Sequence, residues 1–447
     1  MTEDGDYREY DIFGDQKPSL IKGTLIDGRK QDIYIGETGL IEEISEKYSG
    51  KCGEPEFIID ATATAASPAF ANTHGHAAMA LLRGYADDMH LQEWLSEKIW
   101  PLEAHLTGDD VYWGTKLACI EMIKSGTVAF NDMYFFMDMA AKAVDEMGIK
   151  GVLSHGFIDF GSEEKRESEI KATEALCKHI SGMKNPRIKA AVGPHAPYTV
   201  SKEGLKWCAE FSKEKNIMLH THLCETEKEV KDCIEANGVR PAKLLDDCGC
   251  LSERTVAAHC CWLDDADCEL LGKRGVSVSH NPCSNMKLAV NRAMPYQKLI
   301  DSGVNVTLGT DGCSSNNNLD ILEEMKTATL LQKFYWNSDT VLPVHEAVKM
   351  ATSAGMKALG FGGGSLKAGN PADIVLFRTN VSCMTPLYNT NSNIVYSANS
   401  NAVDTVFCNG RVLMYDGFIP SEEEICMKAS QTAKNLIGRY LDSAGKN

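Results

Sequence analysis

Two histidines separated by a single glycine, His74 and His76 in the segment NTHGHAAMALLRGYADD, are the first residues whose spacing predicts chemistry. They stand out because the chain has only 12 histidines in 447 residues. Imidazole nitrogens are good ligands for zinc and iron, and residues two apart on a strand point to the same side. The pair therefore predicts part of a metal site, although an H-x-H motif alone is a weak signal.

Other polar residues follow short apolar runs in the middle of the chain. These candidates are His195 in IKAAVGPH, His220, His222 and Glu225 in IMLHTHLCE, His259 in TVAAHC, His280 in VSVSHNP, and Asp311 in VNVTLGTDG. Three histidines and an aspartate leave one position open for water, as a catalytic metal site requires. A bound ion lowers the pKa of that water toward neutrality. Taken singly, His259 or His280 is more typical of a structural histidine, and Asp311 of a turn.

These residues need a fold that brings distant strand ends together. Eight apolar runs alternate with helix-like segments, at residues 69–76, 127–135, 151–159, 188–195, 217–225, 255–260, 276–282 and 304–312. Such β–α units predict an α/β fold of the (β/α)8 TIM-barrel type, in which the carboxyl ends of all strands form one catalytic rim. The alternative is a doubly wound open sheet, which usually carries a glycine-rich nucleotide loop that this sequence lacks.

Both ends of the chain have the pattern of a small β structure. Short alternating strands with turn residues between them occupy residues 17–60 and again residues 371–417. We therefore expect a small β-sandwich domain formed by residues 1–68 and 367–447, with the catalytic barrel at residues 69–366 between its two parts. The tail of the chain predicts an amphipathic helix with a glutamate-rich first turn.

Composition and charge limit the partners and the location. A net charge of −17 argues against nucleic acid or an anionic membrane as the main partner. The N-terminus is acidic and no segment is apolar enough to span a bilayer, so a cytoplasmic location is expected. The 16 cysteines include no C-x-x-C pair, and we interpret most of them as small buried hydrophobic residues.

Six motifs, taken together, resemble the amidohydrolase superfamily. They are NTHGHAAMALLRGYADDMHLQEWLSEKIWPLE, GPHAPY, HLCETEKE, AAHC, SHNPCSNMKLA and LGTDGCSSNN. They are most similar to the branch of 5′-methylthioadenosine/S-adenosylhomocysteine deaminases, which includes 5′-deoxyadenosine deaminases. The resemblance implies a (β/α)8 barrel with a small β domain from both chain ends. It also implies one divalent metal ion, zinc before iron or manganese, and hydrolytic deamination of the adenine ring of 5′-substituted adenosines.

The same resemblance implies a role for individual residues. The implied metal ligands are His74, His76, His222 and Asp311. The implied catalytic groups are Glu225, His259 and Asp311. The implied substrate contacts are Trp94, Glu103, His195, Glu225 and Asp311, with Glu103 accepting the ribose hydroxyls. His220 has no counterpart, and we interpret it as structural or as a neighbour of a metal ligand. The other Met, Trp and Tyr side chains of WLSEKIW and DMYFF are interpreted as packing residues.

Two positions depart from the family pattern. Gly75 replaces the threonine commonly found between the two histidines, and strand alternation predicts that its missing side chain faces away from the metal. His155, in LSHGF, stands where members suited to the homocysteine tail carry an arginine, which clamps a carboxylate with two hydrogen bonds. Arg166 is a second candidate for that contact. The change favours a small or apolar 5′ group over S-adenosylhomocysteine.

The implied mechanism is a hydrolysis at C6 of the adenine ring. Asp311 takes a proton from the attacking water, His259 orients the hydroxide, and Glu225 protonates N1 with a pKa raised by desolvation. Two alternatives stay open: another hydrolase of the superfamily, acting on guanine, cytosine or a triazine, and a non-catalytic metal-binding scaffold. The expected partner is a small nucleoside, and a homo-oligomer follows from the general preference for symmetric assemblies.

Overall fold

The computed structural model of the protein describes residues 12–89 and 91–444, which form two sheets and the helices packed on them. The strands are β1 Ser19–Ile26, β2 Arg29–Ile35, β3 Ile41–Ser45, β4 Phe57–Asp60, β5 Thr64–Pro68, β6 Phe70–His76, β7 Thr127–Tyr134, β8 Lys150–Phe157, β9 Ile188–Pro194, β10 Met218–Leu223, β11 Thr255–His259, β12 Ser277–His280, β13 Asn305–Leu308, β14 Asp311–Gly312, β15 Ile374–Arg378, β16 Val403–Cys408 and β17 Arg411–Met414.

The helices cover the larger sheet and join its strands. They are α1 Leu91–Trp94, α2 Trp100–Glu103, α3 Gly108–Lys124, α4 Met137–Met147, α5 Glu163–Met183, α6 Lys202–Lys215, α7 Glu227–Asn237, α8 Pro241–Asp247, α9 Asp265–Arg274, α10 Pro282–Lys287, α11 Tyr296–Asp301, α12 Ile321–Tyr335, α13 Val344–Lys349, α14 Gly355–Ala358, α15 Thr390–Tyr396 and α16 Glu422–Ala444. A π-helical turn at Leu95–Ile99 joins α1 to α2, and a second, at Met350–Ala354, joins α13 to α14.

The larger sheet is a closed parallel barrel. Strands β6 to β13 pair in chain order, and β14, which follows β13 after two residues, pairs with β6. In that last pair Asp311 lies opposite Gly75. Strands β13 and β14 therefore act as one interrupted eighth strand that closes the ring. The predicted (β/α)8 barrel is confirmed, and each of the eight predicted strands is present.

Local sequence explains why the barrel elements begin and end where they do. Strand β7, TVAFNDMY, is buried at every position, as expected for a parallel strand covered by helices on one side and by the barrel interior on the other. Helix α3 begins with a capping box between Thr107 and Asp110. Helix α4 ends at Gly148, whose φ of 77° lies in the left-handed region. Because the barrel strands pair in parallel, their carboxyl ends all lie at one rim.

The smaller sheet is built from both ends of the chain, as predicted. Its strand order is β17-β16-β15-β5-β1-β2-β3, with β4 beside β1. The two parts meet where β15 pairs antiparallel with β5. One face of this sheet encloses an apolar cluster that includes Ile21, Ile33 and Phe407, and on the other Phe377 contacts Phe70 of the barrel. The domain boundaries at residues 68/69 and 366/367 stay predictions.

The C-terminal helix α16 follows the small sheet in the chain but packs on the barrel. It begins with the three glutamates Glu422, Glu423 and Glu424, as the sequence predicts, and it lies against α3. Arg439 of this helix donates to Asp110 at 2.5 Å and to the carbonyl of His105 at 3.2 Å. The helix therefore braces the segment that leads from the barrel rim into α3.

All sixteen cysteines lie in the described part of the chain as free thiols, and most of them are buried. This confirms their interpretation as small hydrophobic residues. Across residues 12–89 and 91–444, every helix is too short or too polar to cross a membrane.

A buried ion pair between Lys150 Nζ and Asp373 Oδ2 joins barrel strand β8 to the start of β15. Removing one partner of a buried pair leaves an uncompensated charge and costs about 3–5 kcal/mol. We expect Lys150→Met to lower the midpoint of thermal unfolding by about 5 °C or more in calorimetry, and Lys150→Met/Asp373→Asn to recover part of that loss. The control is Lys243→Met, which breaks an exposed pair with Asp247; equal shifts for the Lys150 and Lys243 variants would contradict the expectation.

Candidate active site

Four histidines and one aspartate meet at the carboxyl ends of the barrel strands. His74 and His76 come from β6, His222 from β10, His259 from β11 and Asp311 from β14. The ligand atoms of His74, His76 and Asp311 lie within 4.8 Å of one another, and so do those of His74, His222 and His259. Asp311 Oδ1 lies 3.3 Å from both His74 Nε2 and His76 Nε2. This spacing and this nitrogen and oxygen donor set fit one divalent metal ion.

Backbone carbonyls orient two of these imidazole rings. His76 Nδ1 donates to the carbonyl oxygen of Met133 at 2.7 Å. His222 Nδ1 donates to the carbonyl oxygen of His195 at 2.6 Å. Because Nδ1 donates to a carbonyl oxygen in both rings, Nε2 is the ring nitrogen that faces the cluster, as is usual for histidines that bind a metal ion.

His220 lies behind the cluster and contacts His74. Its Nε2 is 2.7 Å from His74 Nδ1, which supports the interpretation of His220 as a neighbour of a metal ligand. His74 Nε2, on the other side of the ring, is buried, and its contact with Asp311 Oδ1 at 3.3 Å does not have hydrogen-bond geometry. A buried polar atom without a partner is uncommon in folded proteins, and a cation held between His74 and Asp311 would satisfy it.

Two hydroxyl groups hold the Asp311 carboxylate. Ser284 Oγ and Ser315 Oγ both donate to Asp311 Oδ2, at 2.6 and 2.8 Å. Oδ1 is thereby left for the histidines. Asp311 has a φ of 62°, a conformation that is rare for a residue with a Cβ and tends to occur at functional sites. Sequence reasoning missed both serines, although they lie inside the motifs SHNPCSNMKLA and LGTDGCSSNN.

An asparagine sets the tautomer of His259. His259 Nδ1 is 2.8 Å from Asn285 Oδ1, and Asn285 Nδ2 donates to Cys261 Sγ at 3.0 Å. The amide oxygen therefore faces the ring, so Nδ1 carries the proton and Nε2 is an acceptor directed into the cluster. His259 also has a positive φ, 69°. Asn285 is part of the motif SHNPCSNMKLA, but the sequence indicated no role for it.

Glu225 follows β10 and is buried beside this group. Its Oε1 lies 3.9 Å from His259 Nδ1. Burial raises the pKa of Glu225, and the negative charge of Asp311 adds to the rise against the opposing effect of His259 and His76. The direction agrees with the pKa that the sequence analysis expected for an acid working near neutral pH.

One cavity brings together most of the predicted site residues. Those that line it are His76, Trp94, Glu103, His195, His222, Glu225, His259 and Asp311. Trp100, Met133 and Tyr134 line it as well, although Met133 and Tyr134 are buried among the core residues. Their interpretation as packing residues stays a prediction. Met133 and Tyr134 lie at the carboxyl end of β7, where a strand passes from the barrel core to its rim, and the run DMYFF does not reveal that point.

Glu103 forms a hydrogen bond with Tyr134. Tyr134 Oη donates to Glu103 Oε1 at 2.6 Å. Burial raises the pKa of Glu103 to about 7, although the hydrogen bond from Tyr134 lowers it. Tyr134 thus holds the carboxylate in this cavity, with a charge that changes close to neutral pH.

A second cavity of about 1010 Å³ adjoins the first. The two share Trp100, Glu103, Phe135 and Ile158 as lining residues. Most of the second cavity is lined by apolar side chains. His155 also lines it, and its Nε2 is paired with Glu169 Oε2 at 2.6 Å. Arg166, the second candidate, lies instead 4.0 Å from Asp159 Oδ2, outside the lining residues, while Lys165 is among them.

The chain is similar to known proteins over most of its length. The profile of the amidohydrolase family matches residues 65–413. The chain belongs to the amidohydrolase family. It is 61% identical over 430 residues to the 5′-deoxyadenosine deaminase of Methanoregula boonei, covering 96% of this chain and 97% of that protein. It is 48% identical over 423 residues to 5-methylthioadenosine/S-adenosylhomocysteine deaminase 1 of Archaeoglobus fulgidus, covering 94% and 96%.

A solved structure of an adenosine deaminase supports the fold. The adenosine deaminase from Xanthomonas campestris with bound zinc superimposes with a TM-score of 0.88 at 31% identity, covering 94% of this chain and 98% of that one. Together with the donor set of the cluster, it supports a divalent metal ion at this site.

Gly75 of this amidohydrolase faces away from the ring nitrogens, as predicted. A Cβ added there would lie 3.6 Å from the carbonyl oxygen of Asp311, 3.7 Å from Asn72 Nδ2 and 3.8 Å from the carbonyl oxygen of Asn131. These are ordinary van der Waals distances. The glycine is therefore tolerated but not demanded by the space around it.

We expect Gly75→Thr to retain the metal content of the unmodified protein, measured per chain by mass spectrometry of the metal, because a Cβ at this position makes only ordinary contacts, on the side away from the ring nitrogens. The contrasting variant is Gly309→Ala, whose Cβ would lie 2.6 Å from Asn281 Oδ1 and 2.9 Å from His74 Cβ and should displace a ligand. Loss of metal in Gly75→Thr would show that the backbone between the two histidines requires glycine.

Proposed function

We propose that this amidohydrolase is a deaminase of 5′-substituted adenosines, releasing the 6-amino group of the adenine ring as ammonia and leaving the inosine analogue. The observation that carries the proposal is the 61% identity, over 96% of the chain, to a 5′-deoxyadenosine deaminase. The cavity at the cluster, called the catalytic cavity below, supports it, because the carboxyl groups of Glu225 and Glu103 both line this space.

The ion that we assign to the cluster is zinc, with iron and manganese as alternatives. His74, His76, His222 and Asp311 would hold it, as their convergence supports. The zinc-bound adenosine deaminase at 31% identity favours that metal. When bound, such an ion supplies a nucleophile near neutral pH because it makes water more acidic.

Asp311, His259 and Glu225 each have a separate role in moving protons or orienting the water. Asp311 Oδ1 accepts a proton from the attacking water, since Oδ2 is already bound by two serine hydroxyls. His259 Nε2 orients that water as an acceptor. Glu225 donates a proton to N1 of the ring, so the ring takes up the electron pair without becoming an anion. Ammonia leaves when the C6–N bond breaks, taking the proton that Asp311 received from the water. The C6 hydroxyl loses its proton to Glu225 as the carbonyl forms, which returns both carboxyl groups to their starting states.

The two adjoining cavities support a nucleoside substrate over a free base. Glu103 lies where they meet, so its carboxylate accepts the ribose hydroxyls while the adenine ring occupies the catalytic cavity. Trp94 and His195 line the space around the ring and sugar. The 5′ group extends into the second, largely apolar cavity, where His155 is engaged by Glu169. We therefore propose a small or apolar 5′ group, as in 5′-deoxyadenosine or 5′-methylthioadenosine.

A substrate panel tests this function. The purified protein should turn over 5′-deoxyadenosine and 5′-methylthioadenosine with the highest kcat/KM, S-adenosylhomocysteine less well, and guanine not at all. Loss of the adenine absorbance and release of ammonia are followed, with metal analysis of the same sample. Turnover of guanine, cytosine or a triazine without turnover of 5′-substituted adenosines would identify another hydrolase. Bound metal with no ammonia from any substrate would identify a scaffold.

The raised pKa of Glu103 predicts a pH dependence. Below pH 7 Glu103 gains a proton and loses part of its acceptor capacity, so kcat/KM should fall as the pH is lowered through about 7. In Glu103→Gln the side chain does not titrate, so this limb should disappear while kcat/KM is lower throughout. The control is Glu97→Gln, an exposed position in the same helical stretch. An unchanged acidic limb in Glu103→Gln would assign it to another group.

The His155–Glu169 pair predicts how the 5′ preference changes. His155→Arg/Glu169→Gln provides a guanidinium and removes the competing carboxylate, so it should raise kcat/KM for S-adenosylhomocysteine relative to 5′-methylthioadenosine by about tenfold or more. Glu169→Gln alone should give a smaller rise. The exposed Glu174→Gln on the same helix serves as the control. No change in the ratio for the double variant would exclude this cavity as the site of the 5′ group.

A further inference from the structure

The Glu229 side chain is buried against the loop that carries Glu225, and both of its carboxylate oxygens are used there. Oε1 accepts from the backbone N–H of Cys224 and Oε2 from the backbone N–H of Glu225, each at 2.8 Å. Glu229 is 5% exposed and is not among the residues that line the catalytic cavity. The contact of Glu229 with the site is therefore made through the loop.

The loop has a backbone conformation that needs support. Cys224 has a φ of 49°, in the left-handed region that side chains with a Cβ adopt rarely and at a cost. The carbonyl oxygen of Cys224 accepts from the N–H of Trp262 at 2.8 Å. Thr226 Oγ1 accepts from the N–H of Glu229 at 3.1 Å and so caps helix α7. The loop is thus held by its own helix and by the segment after β11.

The two N–H donors of Cys224 and Glu225 require a side chain with two acceptor atoms, which a carboxylate provides. Two adjacent N–H donors point at one side chain, and a carboxylate offers an acceptor to each. An amide offers one acceptor and one donor, so a glutamine would satisfy one N–H and oppose the other. Burial raises the pKa of Glu229 to about 7, and the two N–H donors act against that rise because they favour the ionised carboxylate. Glu229 matches the pair of amides in both number and polarity.

We propose that Glu229 is a positioning residue for the deamination: it holds the Cys224–Glu225 peptide so that the Glu225 carboxyl group faces the substrate ring. This role rests on the proposed function of Glu225 as the proton donor. It adds to the reaction a residue that touches neither substrate nor ion, four positions after the acid it orients.

Kinetics of a double-mutant cycle test the proposal. Glu229→Gln should lower kcat by about tenfold or more, with KM within about threefold and the metal content unchanged. Glu225→Gln should lower kcat by at least about 10²-fold. If Glu229 acts through Glu225, adding Glu229→Gln to Glu225→Gln should have almost no further effect. A general structural role would instead lower the activity or the metal content further in the double variant.

A second measurement does not depend on activity. Hydrogen exchange of the amides of Cys224 and Glu225, followed by mass spectrometry of the peptide containing them, should be faster in Glu229→Gln than in the unmodified protein. The matched control is Glu227→Gln, in the first turn of the same helix, where the carboxylate is half exposed and pairs with Lys231. That control should leave exchange and kcat unchanged. If Glu229→Gln does not fold, Glu229→Asp, which keeps the charge on a shorter side chain, replaces it.

The two readouts separate this inference from the proposed function. Faster exchange in Glu229→Gln, together with no deaminase activity in the unmodified protein, would support the loop contact. The same result would refute the proposed function and, with it, the role of Glu229 in deamination. Unchanged exchange in Glu229→Gln, unchanged kcat, or multiplicative losses in the double variant would each overturn the positioning role.

Discussion

The pairing that closes the barrel between its eighth and first strands is the constraint on which the site depends. Asp311 lies opposite Gly75 across that junction. Its carboxylate therefore arrives beside both flanking histidines, His74 and His76, at 3.3 Å from each. A barrel that stayed open at this point would separate the aspartate from the two histidines, and the ligand set would not form.

Buried polar side chains hold the junction in register. Asn72 bonds to Thr310 twice, through its side-chain oxygen to the backbone N–H and through its nitrogen to the hydroxyl. Thr73 Oγ1 bonds to the hydroxyls of Ser279 and Thr307 on two neighbouring strands. In a dry interior an unmade hydrogen bond is costly, so these contacts oppose any slip of the eighth strand and support the unusual backbone of Asp311.

The same exclusion of water gives the cavity its acid–base properties. Burial raises the pKa of Glu225 and of Glu103, while contacts behind the rim decide which atom of each group faces inward. Met133 and His195 orient histidines through their carbonyl oxygens. The chemistry of the rim thus depends on backbone contacts behind the imidazole rings.

The sequence by itself determined the barrel, the small sheet from both chain ends, the family and the identity of the residues that converge at the rim. These follow from local patterns: apolar runs of strand length, turn residues, and polar residues at fixed places after each run. Cytoplasmic location and a homo-oligomer were also expected and stay predictions. Only the tertiary structure decided which atom of each residue meets which neighbour. Ser284 with Asp311, Asn285 with His259 and Tyr134 with Glu103 are joined by side-chain hydrogen bonds across the fold, and such bonds depend on side-chain rotamers and strand register, which no local pattern encodes.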